Sequence, residues 1–288
     1  MTSWTLLAEQ PAYFIPLAAV LGLLVGSFLN VVVHRLPIML ERQWQREAQE
    51  VLGLPTTEHE RFNLSLPASH CPHCNHAIRA WENIPVISYL ALRGRCSACK
   101  QPISARYPLV EVACALLSMA VAWHSGTSTE ALALLLLTWS LLTLSLIDHD
   151  QQLLPDVLVL PTLWLGLVVN AFDTVVPLPD ALWGAVAGYL SLWSVYWVFK
   201  LVTGKEGMGY GDFKLLALIG AWGGWQVLPV TLLLSSVIGV VAGLCLLRVR
   251  RQSVGTAIPF GPYLAIAGWI AVLWGDEIYA SYLQLFGM

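Results

Sequence analysis

The fifteen Lys and Arg residues of this 288-residue chain are confined to three places. Nine lie between Arg35 and Arg106, three are Lys200, Lys205 and Lys214, and three are Arg248, Arg250 and Arg251. Long apolar stretches separate them, at 12–34, 107–124, 131–147, 157–172, 181–199, 213–224, 227–247 and 258–274. Most are close to the roughly 20 residues that a helix needs to cross a bilayer. An apolar run in lipid must satisfy its own backbone, so helices are expected rather than open sheet. Charged residues make up 11% of the chain, against roughly 25% in a soluble protein. With 57% hydrophobic residues and 13 Trp, a soluble fold could not cover its apolar surface. The expected fold class is an all-α polytopic membrane protein with about eight transmembrane helices and a zinc-stapled cytoplasmic loop domain.

The basic clusters also set an orientation. With the N-terminus outside and eight crossings, every basic cluster falls on the cytoplasmic face. Both termini are then periplasmic. The short stretch 213–224 is paired with 227–247 through a turn at Gly223-Gly224-Trp225-Gln226. The expected division is 1–34, a first span; 35–106, a cytoplasmic loop; and 107–288, a multi-span domain. Within the loop, Glu41 to Glu60 suggests a short amphipathic interfacial helix. No internal repeat is visible, and a cleaved signal peptide is not expected because the first 34 residues carry no basic residue.

Four of the six cysteines form Cys71-Pro-His-Cys74 and Cys96-Ser-Ala-Cys99, with 21 residues between the pairs. That is slightly longer than the usual spacing for a zinc site built from two such pairs. Two CxxC pairs supply four thiolates for a closed, structural tetrahedron. A disulfide reading is weaker in a reducing compartment. His70, His73 and His76 crowd the first pair and are expected to be supporting or solvated. Cys114 and Cys245 lie in apolar stretches and read as ordinary packing residues.

Two aspartates stand at the expected cytoplasmic ends of spans, Asp148 in Ile147-Asp148-His149-Asp150 and Asp212 in Gly209-Tyr210-Gly211-Asp212-Phe213-Lys214. Ionisable groups there are costly and often functional. Two close carboxylates share a proton, so one can activate water while the other polarises a scissile carbonyl. Gly209 and Gly211, with Lys214, are candidate substrate-binding residues, since glycines let an extended peptide approach the carboxylate. Against catalysis stands helix capping, which suits Asp212 and, better, Asp156. Asn30, His34, Glu111 and Asn170 are either ligand contacts or interhelical hydrogen-bond partners. GxSxG and HExxH motifs are absent, and the glycine run at 207–211 lacks the strand that a dinucleotide site needs.

Taken together, these residues resemble the type IV prepilin peptidase family over nearly the whole chain. The resemblance rests on Gly26-Ser-Phe-Leu-Asn30-Val with His34-Arg35-Leu-Pro37, the paired CxxC knuckle, Trp81-Glu-Asn-Ile-Pro85-Val-Ile-Ser-Tyr89, Arg106-Tyr-Pro-Leu-Val-Glu111, Asp148 through Pro155-Asp156, and Gly209 through Lys214. It implies a bifunctional enzyme of the bacterial inner membrane that cuts the basic leader from prepilins and type II secretion pseudopilins at the cytoplasmic face. The enzyme then methylates the new N-terminal residue, usually Phe, with S-adenosylmethionine. Asp148 and Asp212 would be the protease pair. The methyltransferase would be associated with the 35–106 loop. Gly94 matches a glycine of the family, Arg95 keeps a positive charge, and these two with Glu111 are the candidate cofactor contacts. The implied partners are the substrates and the lipid bilayer, with no nucleic acid. Two other classes compete, an ion-coupled transporter and a non-catalytic assembly protein, as does a presenilin-like GxGD protease without methyltransferase activity.

Overall fold

The computed structural model describes residues 11–55, 61–250 and 259–285. Glu60, Arg251 and the expected start of the last stretch at 258 lie outside the described residues, as do the side chains of Arg248 and Arg250. The described residues are helical, with two isolated backbone bridges and no strand. The longer helices are α1 (Pro11–Val51), α3 (Arg106–Ser125), α4 (Thr129–Gln151), α5 (Asp156–Asn170), α6 (Leu178–Thr203), α7 (Tyr210–Gly223), α8 (Val227–Arg250) and α9 (Gly261–Leu285). The short α2 (Ile87–Ala91) follows a 3-10 turn at Ala80–Asn83. The chain is thus an all-α polytopic membrane protein.

Among the described residues, eight apolar helices correspond to the eight expected stretches, but five are long and apolar enough to cross a bilayer by themselves: Tyr13–Val51, α3, α4, α6 and Val227–Cys245 of α8. Helices α5 and α7 have 15 and 14 residues. At 1.5 Å per residue, each covers about 20 Å of a core about 30 Å thick. Helix α9 is long, but it kinks at Trp274 and carries Asp276 and Glu277 beyond the kink.

The expected interfacial helix at 41–60 is not separate. Its first part continues α1 without a break to Val51. The 41 residues of α1 would extend about 60 Å, twice the hydrocarbon thickness. Side-chain pairs four apart support this polar end: Gln43 donates to Glu47 at 2.8 Å and Gln45 to Glu41 at 3.4 Å.

Two compact units divide the chain, 1–131 and 132–288. In the first, α1 lies along α3. Gly22 and Gly26 make the approach possible: a Cβ at Gly22 would stand 2.7 Å from Ala115 Cα, and one at Gly26 would stand 2.8 Å from Glu111 Cα. Small residues four apart are the common device for close helix pairs in lipid. Asn30 joins the same pair by donating to the Tyr107 carbonyl at 3.2 Å, and His34 is exposed. Below it, the buried Arg35 guanidinium donates to the carbonyls of Asn63 (2.9 Å) and Pro67 (2.7 Å), fixing the chain that leads to the first knuckle.

In the second unit α7 is buried on every side, with each residue from Asp212 to Gly223 except Lys214 withdrawn from solvent. It packs along α6, α5, α9 and α8. Against α6 the contact is backbone to backbone. Gly184 meets Gly220, and a Cβ at Gly188 would lie 2.6 Å from Leu216 O. Asn170 closes the far end of α7. Its amide donates to the Ala221 (3.0 Å) and Trp222 (3.2 Å) carbonyls while its oxygen accepts the N–H groups of Val175 and Val176. Of the two roles open to Asn170, the contacts are those of an interhelical partner. The indole of Trp222 donates to the Thr162 carbonyl of α5 at 2.9 Å. Replacing Gly188 by Leu should force α6 from α7 and cost about 1–3 kcal/mol or more, read as a lower unfolding midpoint in a detergent or lipid unfolding titration.

Candidate active site

Asp148 and Asp212 come together in the second unit. Asp148 lies in the last turn of α4 and is 6% exposed; Asp212 is in the first turn of α7 and is 7% exposed. Their carboxylates are near enough to interact electrostatically. Asp212 is not the N-cap of its helix. That position belongs to Gly209 (φ −78°, ψ 147°), whose carbonyl accepts the Asp212 backbone N–H at 3.3 Å. Asp150 is exposed, on another side of α4 from Asp148.

Helix α9 supplies a partner that the sequence reading missed. The backbone N–H of Gly261 donates to Asp148 Oδ2 at 3.0 Å. A Cβ at Gly261 would stand 2.6 Å from that same oxygen. Leu154, in the link between α4 and α5, packs beside both: it is 2.8 Å from where a Cβ on Gly211 would be, and 3.4 Å from one on Gly261. The glycine at 211 is therefore needed for packing against Leu154, whatever else approaches it. The only sequence signal for Gly261 was a Gly-Pro step opening an apolar helix.

The other expected roles shift. Asp156 does not cap α5, because Pro155 occupies the N-cap. It pairs instead with Lys214, whose Nζ lies 2.7 and 2.8 Å from its two oxygens. The pair is partly exposed and ties α5 to α7. The loop before Gly209 is held by a second group of side chains. Lys200 donates to Glu206 at 2.8 Å and to the Tyr196 hydroxyl at 3.2 Å, and the Tyr210 hydroxyl donates to the same oxygen at 3.3 Å. Phe213 stacks edge-on with Tyr196, Tyr210 and Tyr189. The start of α7, and with it Asp212, is fixed by packing on both flanks.

The first unit holds a second constellation. The sulfurs of Cys71, Cys74, Cys96 and Cys99 lie within 4.8 Å of one another. Cys71 Sγ is 3.8 Å from Cys99 Sγ, and Cys74 Sγ is 4.0 Å from Cys96 Sγ. No disulfide joins them. A tetrahedron with zinc–sulfur bonds of about 2.3 Å has edges of about 3.8 Å, so the four thiols fit a zinc ion. The two halves are copies of one turn, a repeat not visible by eye in the sequence. In each, the first cysteine donates its N–H five residues on, to His76 or Gln101, and accepts an N–H from a residue of positive φ, Asn75 or Lys100. Each turn also carries one backbone bridge, His70 to Ala77 and Arg95 to Pro102. The backbone N–H groups of Cys99 and Ala98 pull the Cys96 thiol down to about 6, which favours the thiolate that metals bind.

Of the three histidines, His76 joins the halves: its Nε2 is 3.2 Å from Ser97 Oγ and 3.3 Å from Glu82 Oε2. Ser97 and the Arg79 N–H (2.8 Å) hold the Glu82 carboxyl below its usual range, with His76 beside it. His70 and His73 are exposed. The three candidate cofactor residues engage different partners. Gly94 sits over the Tyr89 ring and Arg95 is exposed on the second turn. Glu111 is buried on α3, where Oε2 accepts the Val86 N–H at 2.8 Å and the carboxylate also receives Ser27.

Gly261→Ala should displace Asp148 by the better part of an ångström and lower the rate of a reaction that needs it by roughly 10²-fold. Gly275→Ala on the same helix, where a Cβ meets Val227 at 3.6 Å, should leave the rate unchanged. Removing bound metal with a chelator, or replacing Cys71 by Ser, should loosen the 61–105 segment, because a structural zinc contributes folding free energy directly. Limited proteolysis should then cut within that segment while α7 stays protected.

Residues 20–125 match the family described as Bacterial Peptidase A24 N-terminal domain, and residues 135–244 match the Type IV leader peptidase family. The chain is 80% identical to a Pseudomonas putida protein named "Prepilin leader peptidase/N-methyltransferase", across 100% of both chains. A Pseudomonas aeruginosa protein of the same name is 66% identical across 98% of this chain and 97% of its own. One from Neisseria gonorrhoeae is 51% identical across 93% of each. No solved structure matches the chain.

Proposed function

The chain belongs to the type IV leader peptidase family, and we propose that Asp148 and Asp212 are the pair with which it removes the leader of prepilins. The observation that carries this is their meeting, from distant parts of the sequence, at the buried end of α7. One proton shared between them leaves one carboxylate to activate water and one carboxylic acid to polarise the scissile carbonyl, so no covalent intermediate is needed. The Gly261 N–H holds Asp148, and the α7 packing holds Asp212. The transporter and assembly-protein readings fall away with the family assignment.

The enzyme is a bifunctional, multi-pass inner-membrane protein: it cleaves prepilins and N-methylates the product. S-adenosylmethionine supplies the methyl group. The exposed Arg95 guanidinium, on the turn shaped by Gly94, suits the carboxylate end of that donor. Zinc at the four cysteines would keep this turn folded. Pseudopilins of type II secretion are proposed substrates because they share the leader-plus-apolar-helix form.

Lys200, Lys205 and Lys214 support a cytoplasmic position for the peptidase site. A basic leader would then stay in the cytoplasm while the apolar helix of the substrate lies in lipid. Cysteine placed at 151 or 206 should react with an impermeant thiol reagent in inverted membranes; reaction in intact cells would reverse the orientation.

Asp148→Asn and Asp212→Asn should each lower cleavage by about 10²–10⁴-fold, with folded protein still recovered from membranes. The readout is the mass of a leader-bearing prepilin after incubation. Full processing by either variant would sink the assignment.

A further inference from the structure

Three of the motifs behind the family resemblance converge on one place in the first unit, and neither Asp148 nor Asp212 lies in any of them. They are Gly26 to Asn30 on α1, Trp81 to Tyr89 before and within α2, and Arg106 to Glu111 at the start of α3. A cleft of about 230 Å³ opens there, lined by Leu24, Ser27, Phe28 and Val31 of α1 and by Asn83 and Pro85. Glu111 stands behind it. It receives the Ser27 hydroxyl and the Val86 N–H, and so fixes both walls.

We propose that this cleft binds the terminal amine and first side chain of the processed substrate, as the acceptor subsite of the methyl transfer. The inference rests on the N-methylation reading above and adds its location.

Size and wall chemistry favour this occupant. Sites for drug-sized ligands are commonly about 300–1,000 Å³, so this cleft suits one residue better than a whole nucleoside sulfonium. Four of its six lining residues are apolar side chains of α1 or Pro85. Leu24 and Phe28 are 56% and 53% exposed on a helix that spans the membrane, so the cleft can be entered sideways from lipid. The segment that closes it exposes Trp81, Ile84, Ile87 and Leu90, side chains that settle at the boundary between headgroups and acyl chains. A substrate whose new N-terminus begins an apolar helix presents its first residue at that boundary.

The polar end selects an amine. With its hydroxyl proton engaged by the Glu111 carboxylate, Ser27 would turn its lone pairs to the cleft. They can accept an N–H and cannot donate. A neutral amine held through its N–H keeps its own lone pair for the methyl group: the N–C bond forms as the donor's S–C bond breaks, S-adenosylhomocysteine leaves, and the methylammonium formed gives its extra proton to water. Asn83 offers a carbonyl that can take a second N–H. Glu111 thus acts through Ser27 and Val86, as a positioning residue.

The test uses the purified full chain and a leaderless peptide beginning with benzoylphenylalanine in place of its first residue. After irradiation, mass spectrometry should find the adduct on Leu24 to Val31 or on Asn83 to Pro85, and unlabelled leaderless peptide should suppress it. An adduct elsewhere overturns the proposal. Ser27→Ala and Leu24→Trp should each raise the KM for leaderless acceptor about tenfold, the loss of one good contact, with the KM for S-adenosylmethionine unchanged. An unchanged acceptor KM in both variants, with wild-type methylation intact, overturns the cleft alone. Wild-type protein that adds no methyl group to leaderless peptide overturns the N-methylation reading and the cleft with it.

Discussion

Helix α7 is short and, apart from Lys214, buried from Asp212 to Gly223, and the arrangement of the second unit follows from that. Fourteen residues cannot span a bilayer core of about 30 Å. Such a helix must be supported by protein at both ends, because lipid offers no partner to its unpaired backbone groups. Asn170 and Asp180 show how the far end is managed. Asn170 takes the last carbonyls of α7, and Asp180 accepts the side-chain N–H groups of Trp225 (3.3 Å) and Gln226 (3.1 Å) in the turn that follows. Along the shaft, dispersion between closely packed backbones replaces the hydrophobic effect, which is weak between helices already in lipid. That is why the α6 contact is made through glycines. Among the described residues, no buried side-chain nitrogen or oxygen lacks a partner.

The near end is where, in the function proposed above, this support would serve chemistry. Two carboxylates are withdrawn from water at one point, an arrangement that costs free energy unless it is used. Asp148 arrives on α4 and is oriented by a backbone N–H of α9, while Asp212 opens α7. The pair therefore reports the positions of three helices at once. Lys214 is drawn off by Asp156, and Lys200 by Glu206, so the nearest lysines are engaged within the protein. In the first unit the same logic holds at smaller scale. Glu111 is buried where it accepts a loop backbone N–H, and four thiols placed to hold a metal ion sit in a segment with little apolar core of its own.

Much of this could be read from the chain. Asp148 and Asp212 stood out because an ionisable group in an apolar context has few bland explanations. The cysteines stood out because both pairs carry their spacing within four residues. Glycines four apart at Gly22 and Gly26, and at Gly184 and Gly188, stand in the sequence too, but only the fold shows that each pair marks a close helix contact. Other features left no local trace. Gly261 contributes a backbone N–H, which every residue but proline has. Asp156 looked like a cap because it follows Pro155, and only the fold brings Lys214 to it. The polar end of α1 looked separate because its composition changes at Glu41, yet helix continuity is set by backbone bonding and side-chain pairs, not by polarity.

The central claim is that Asp148 and Asp212 act as one unit. Residues that share a reaction step are strongly non-additive when removed together. The direct measurement is kcat/KM for cleavage by Asp148→Asn, Asp212→Asn and the double variant, with one prepilin and one detergent. The double variant should be no slower than the slower single variant. If instead the two losses multiply, the aspartates contribute independently, and the shared-proton account of the site is contradicted.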